Sequence, residues 1–83
     1  HQPMCYMNGR YWIVFNGEIY NYLEIKQELI RDGYSFNSNT DTEVILAAYD
    51  HFGVECLNKF NGMWAFLIYD SAKQEIFTSR DRL

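Results

Sequence analysis

The sequence predicts an α+β fold with elements in the order β-β-α-α-β-β, on three observations. Apolar runs rich in aromatic and β-branched residues lie toward both ends of the chain, two central segments carry apolar residues at helical spacing, and Gly or Asn marks most of the boundaries between them. The 83 residues leave room for one domain only. Six Phe, seven Tyr and two Trp are a heavy aromatic load for that length, because a chain of this size hides only roughly 60% of its unfolded surface. The excess predicts surfaces meant for neighbouring segments.

Met4 to Met7 is a short apolar run, Asn8-Gly9 is a two-residue turn signal, and Tyr11 to Phe15 is aromatic and β-branched, so the three read as a hairpin. The second strand lacks alternation, which predicts a central strand covered on both faces and ending at Asn16-Gly17. Asn21 opens a helix in which Tyr22, Ile25 and Leu29 recur at three and four, Glu24 completes a capping box, and Gly33 is the stop. Thr40 with Glu43 is a second capping box, and Val44, Ala47, Ala48 and Phe52 mark the buried face of a helix that Gly53 ends. Val54 to Phe60 has no clear period. Met63 to Tyr69 is a further apolar strand, Asp70 to Lys73 a turn, and Glu75 to Ser79 a returning strand. Strands apolar on both sides need more layers than two helices supply, so the missing cover is expected elsewhere in a longer chain. The opening at His1 and the stop at Leu83, straight after Ser79-Arg80-Asp81-Arg82, carry the same expectation of an internal segment.

A net charge of −4 with seven scattered basic residues predicts no nucleic-acid partner, since phosphate binding draws on clustered Lys and Arg. No apolar stretch approaches the roughly 20 residues of a membrane-crossing helix, and a cytoplasmic protein is expected. Cys5 and Cys56 stand far apart without a Cys-x-x-Cys spacing, which predicts no metal site and two reduced, buried, inert thiols.

Polar chemistry concentrates in Asn16-Gly17-Glu18-Ile19-Tyr20-Asn21, between a strand and a helix. A Gly there admits a ligand close to the backbone, and its N–H together with the Asn16 amide can donate to an oxygen that becomes negative during acyl transfer. The same residues also read as an ordinary turn with a helix cap. Asp41, in Thr40-Asp41-Thr42-Glu43, either complements a helix dipole, worth about 0.3–1 kcal/mol, or points toward Gly17 and pairs with a substrate ammonium. Spacing does not separate the two. No nucleophile and base constellation is present: His1 is terminal, His51 falls late in the second helix, and neither Cys has a His nearby in sequence. Arg80-Asp81-Arg82 reads as a mutual salt-bridge set.

The run Trp12-Ile-Val-Phe-Asn-Gly-Glu-Ile-Tyr-Asn-Tyr22 resembles the strand-and-loop signature of class II glutamine amidotransferase domains, in the asparagine synthetase branch. His1-Gln2-Pro3-Met4 resembles the segment leading into that family's hairpin, Asn39 to Ile45 its second motif, and Asn61-Gly62-Met63-Trp64-Ala65-Phe66 with Ser79-Arg80-Asp81-Arg82 its closing strands. Several motifs in one order cover essentially the whole chain. The resemblance implies an N-terminal-nucleophile hydrolase, an α-β-β-α sandwich whose second sheet would supply the missing cover.

It also implies chemistry: an N-terminal Cys, with its own α-amino group as base, attacks the amide of L-glutamine to give a thioester and ammonia, and a synthetase domain using ATP and Mg²⁺ receives the ammonia. Carried onto this sequence, Asn16 and Gly17 match the oxyanion-hole pair, Glu18 a residue lining the glutamine site, and Asp41 the acid that holds the α-amino group. The nucleophile and an Arg gripping the glutamine carboxylate would lie upstream of His1. No Ser-Gly-Gly-x-Asp-Ser loop is present, so this chain is expected to hold no cofactor and, alone, not to hydrolyse glutamine. Residues 1–83 are thus expected to be a partial amidotransferase domain, whose uncovered aromatics can drive homo-oligomerisation. The alternatives are the glutaminase half of another class II amidotransferase, making glucosamine phosphate, phosphoribosylamine or an amidated natural product; a nucleophile-free glutamine-binding module; and a small interaction domain.

Overall fold

A computed structural model of the chain describes residues 4–81. The expected readings at His1, Gln2, Pro3 and Arg82 lie outside them. The elements are β1 (Met4–Tyr6), β2 (Tyr11–Ile19), α1 (Tyr22–Arg31), α2 (Asp41–Phe52), a 3-10 helix (Gly53–Lys59), β3 (Gly62–Asp70) and β4 (Glu75–Arg80). This is the predicted order, with the 3-10 helix filling the stretch that had no clear period. The strands form one antiparallel sheet, β1-β2-β3-β4.

Local chemistry accounts for the turns and caps. Asn8 and Gly9 both take positive φ, 55° and 85°, and Arg10 N–H donates to Met7 C=O at 3.1 Å, the left-handed geometry that suits a tight hairpin. Gly33 (φ 104°) ends α1, where its N–H reaches Ile30 C=O and the Tyr34 N–H reaches Leu29 C=O. Thr40 caps α2 by accepting from Glu43 N–H at 3.4 Å. Neither capping box is completed as expected. Asn21 makes no side-chain cap to α1, and the Glu43 carboxylate turns to the preceding loop, accepting from Asn37 N–H, Ser38 N–H and the Ser38 hydroxyl at 3.0, 2.9 and 2.6 Å.

One face of the sheet carries the core. Tyr11, Ile13 and Ile19 of β2 and Phe66 and Ile68 of β3 pack with Ile25 and Leu29 of α1 and with Val44–Ala48 of α2. The alternate residues face away: Trp12 opposite Tyr69 and Val14 opposite Leu67, each 36–43% exposed. The expectation that β2 is covered on both faces is therefore met on one face only among the described residues. Its side chains are apolar on both faces, but these helices reach one of them. Cys5 shares the uncovered face and is exposed, which corrects the expectation of two buried thiols; Cys56 is buried and free.

Asp70, the last residue of β3, belongs to the strand, and the turn falls on Ser71–Gln74. Its carboxylate is 2% exposed. It accepts from Arg10 Nε at 3.3 Å and from the N–H groups of Ala72 and Lys73 at 3.0 and 3.3 Å, tying the first hairpin to the last. Burial alone would raise its pKa, but the Arg10 guanidinium and the two backbone donors together hold it below the usual carboxylate range.

A carboxyl depressed in the folded state contributes stability above its unfolded pKa, about 3.9, and that contribution is lost as pH falls through the folded value. Thermal melts from pH 7 to pH 2 are expected to show Asp70→Asn melting lower than wild type at neutral pH and losing less on acidification below about pH 4.

Candidate functional site

The first four residues of the polar motif, Asn16 to Ile19, lie within β2, not beyond its end. Pairing with β3 continues through Asn16↔Ala65, Gly17↔Trp64, Glu18↔Met63 and Ile19↔Gly62, which corrects the expectation that the strand stops at Asn16-Gly17. The ladder continues because β3 presents backbone, not side chains, at the two tightest points. A Cβ on Gly17 (φ 125°) would stand 2.1 Å from Met63 C=O, and one on Gly62 would stand 2.2 Å from Glu18 C=O. Gly17 is thus required by β3, whatever a ligand also needs of it.

Strand parity fixes where the Gly17 N–H points. Tyr20 N–H donates to Asn61 C=O at 2.6 Å, so even-numbered residues at this end of β2 direct their N–H groups toward β3. Odd-numbered residues direct theirs to the other edge. Ile19 does so, its N–H meeting Asp41 Oδ2 at 3.1 Å. Gly17 N–H faces the same edge, beyond the Met4–Ile13 pair, and no described residue of β1 pairs with it. The structure therefore brings Gly17 and Asp41 to one backbone edge roughly two strand residues, or 6.8 Å, apart along β2. Asn16 and Glu18 are exposed on the uncovered sheet face beside that edge.

Asp41 is held by the loop before it. Glu43 gathers the Asn37 and Ser38 amides, and Thr40 caps the helix, so the first turn of α2 is fixed against the end of β2. Together the edge offers an N–H donor, an amide and two carboxylates, a set suited to a small molecule carrying both a carbonyl oxygen and an ammonium.

The described residues supply no nucleophile to it. Burial pushes the Cys56 thiol up to about 12, which keeps it protonated at neutral pH. Cys5 pairs with Trp12, four residues before Asn16, roughly 13 Å along the sheet. His51 Nε2 lies 3.0 Å from Asp32 at the far ends of the two helices. The expected Arg80-Asp81 ion pair is not formed, and Asp81 Oδ2 is buried without a partner among the described residues. No group of three metal-ligating side chains occurs among them, and no helix there is long and apolar enough to cross a membrane.

A cavity of about 770 Å³ lies elsewhere, between β1 and the loop after α1. Its three carboxylates are already engaged. Asp50 accepts from the Tyr11 and Tyr34 hydroxyls at 2.6 and 2.5 Å, Asp32 meets His51, and Glu43 holds the loop. Burial first, then the bond to Asp50, raises the pKa of both tyrosines.

Sequence reasoning missed Asn21 and Glu43 as organisers of this end, having read both as helix caps. The signal available was proximity to the motif; their partners at Lys59, Asn61 and Asn37 obey no short-range pattern.

Residues 1–83 match the model of the glutamine amidotransferase domain family, and the chain belongs to that family. It is 49% identical over 80 residues to asparagine synthetase [glutamine-hydrolyzing] 1 of Bacillus subtilis, a match spanning 96% of this chain and 13% of that protein. It is 55% identical over 71 residues to putative asparagine synthetase [glutamine-hydrolyzing] 2 of Methanocaldococcus jannaschii, spanning 86% of this chain and 13% of the relative. Among solved structures, glutamine phosphoribosylpyrophosphate amidotransferase from B. subtilis, complexed with ADP and GMP, superposes with a TM-score of 0.73 at 24% identity, over 96% of this chain and 19% of that one. The likeness is one of fold, an antiparallel sheet with helices on one face.

Gly17→Ala is expected to open the β2–β3 end, lowering the melting temperature and speeding hydrogen exchange at the Ile19 amide. Gly33→Ala, where φ is also positive but nothing lies within 4 Å of the added carbon, should cost less and leave Ile19 protected.

Proposed function

We propose that this chain is the glutamine-binding part of the glutaminase domain of an asparagine synthetase, a cytoplasmic enzyme that takes ammonia from L-glutamine and passes it to aspartate. The observation that carries this reading is the Asp41 carboxylate set on the same edge of β2 as the Gly17 N–H, which points away from β3. From α-nitrogen to side-chain oxygen an extended glutamine spans five bonds, roughly 6 Å. That length fits the interval between Asp41 and Gly17 along the strand.

In this reading glutamine lies along the edge with its ammonium at Asp41, Glu18 beside it, and its side-chain carbonyl oxygen at Gly17 N–H and the Asn16 amide. A cysteine at the N-terminus of the parent attacks the amide carbon. The C–S bond forms, the carbonyl electron pair moves to oxygen, and Gly17 and Asn16 hold that oxyanion. Collapse breaks the C–N bond, and the nitrogen leaves as ammonia with a proton from the cysteine's amino group. Asn16 and Gly17 act in the transition state, whereas Asp41 and Glu18 bind the ground state as well.

The nucleophile, the Arg for the glutamine carboxylate and the second sheet belong to other parts of the parent, as does the synthetase domain. In this reading ATP and Mg²⁺ act in that synthetase domain, as the likeness to asparagine synthetases supports. The second sheet of the sandwich would cover Trp12, Val14, Leu67 and Tyr69, which supports residues 1–83 being a partial domain. Self-association of the parent would be a separate matter from that cover.

In the full-length protein, Asp41→Ala is expected to raise KM for glutamine at least tenfold, and Asn16→Ala to lower kcat about 10²–10³-fold. A stopped glutaminase assay reads both. Unchanged KM in the Asp41 variant would sink the assigned roles. Ammonia release from glutamine without aspartate- and ATP-dependent asparagine formation would move the parent to another acceptor.

A further inference from the structure

The β2 end is gripped from the β3 side by one side chain that does not itself reach the ligand edge. Asn21 Oδ1 accepts from Asn61 N–H at 2.9 Å, and its Nδ2 donates to Lys59 C=O at 2.8 Å. Asn61 C=O in turn accepts from Tyr20 N–H at 2.6 Å, so Asn61 is held at both of its backbone groups by consecutive residues at the exit of β2. The side chain forgoes the helix cap that its position offers, a contact typically worth about 1 kcal/mol. A polar side chain spent this way fixes where β3 begins.

The next residue is Gly62, and there the two strands have no slack. A Cβ on Gly62 would meet Glu18 C=O at 2.2 Å, and a Cβ on Gly17 would meet Met63 C=O at 2.1 Å. Gly62 thus lies against the Glu18–Ile19 peptide and its neighbour Met63 against Gly17 itself, so a shift of Asn61 and Gly62 is carried along the start of β3 to Gly17. Asp41 has a second anchorage that does not pass through Asn61, because Thr40 and the hold of Glu43 on the Asn37 and Ser38 amides set the first turn of α2.

We infer that Asn21 is a positioning residue for acyl transfer, aiming the Gly17 N–H at the oxyanion through Asn61 and Gly62; this rests on the glutaminase reading above. The inference separates two kinetic constants. An N–H donor that acts on the oxyanion alters kcat, whereas the ammonium contact at Asp41 governs KM.

The test uses the full-length protein, with glutamine hydrolysis measured for wild type, Asn21→Ala and Asn21→Asp, each normalised to its folded fraction by near-ultraviolet circular dichroism. Asn21→Ala is expected to lower kcat about tenfold or more, with KM within about threefold of wild type. Asn21→Asp keeps an acceptor for Asn61 N–H and loses the donor to Lys59, so its kcat should fall between the two; it also serves if the alanine variant does not fold. A lower melting temperature with kcat per folded molecule unchanged would overturn the inference, as would a rise in KM with kcat preserved. A wild type that releases no ammonia from glutamine would remove the underlying reading and this inference with it. An active wild type with unaffected variants would remove the inference alone.

Discussion

At the Gly17–Gly62 crossing, the carbonyls of β2 and β3 approach the opposing Cα atoms more closely than any residue with a side chain allows. The ladder therefore stays in register to Ile19 and carries the polar motif inside the sheet instead of in a loop. From that follow the outward direction of the Gly17 N–H, the bond from Ile19 to Asp41, and the placement of Asn16 and Glu18 on the uncovered face. Backbone groups on a paired strand are more rigid donors than groups on a loop, and rigidity is what the proposed oxyanion role of Gly17 requires.

The sheet divides its labour by face. Odd residues of β2 build the core with both helices, and even residues present Trp12, Val14, Asn16 and Glu18 to whatever lies beyond. The polar pair sits at one end of the same surface whose other end is apolar. A layer closing over Trp12, Val14, Leu67 and Tyr69 would wall in the ligand end while leaving the edge of β2 as the entrance.

Much of this was legible in the sequence because the signals are local. Asn8-Gly9 specifies its turn, Gly33 and Gly53 stop their helices, and apolar spacing locates α1 and α2. The length of β2 was not legible, since Asn-Gly reads as a turn wherever it occurs and only the opposing Gly62, far along the chain, keeps this one extended. Asn21 and Glu43 were misread for the same reason: a cap is the commonest use of such residues, and the competing partners were distant or in a loop. The uncovered face was half legible, as the apolar run announced cover on both sides without saying which segments provide it. Asp41 stood at its correct place on the helix, but its direction depended on how α2 packs against β2. The site roles themselves came from the family resemblance, and strand parity supplies an independent physical reason for Gly17.

The clamp at Asn21 also bears on how the chain folds. β1 with β2 and β3 with β4 are hairpins that close locally, whereas β2 and β3 pair only after the whole stretch from Tyr20 to Asn61 has looped back. Closing a flexible loop of that length costs on the order of 3 kcal/mol in chain entropy before the contacts inside it repay anything. Asn21 and Asn61 sit at the neck of that loop, where the amide side chain meets both ends at once. A group at the neck acts as a latch on the slowest contact of the fold. Its two hydrogen bonds are available only once the two hairpins have become one sheet.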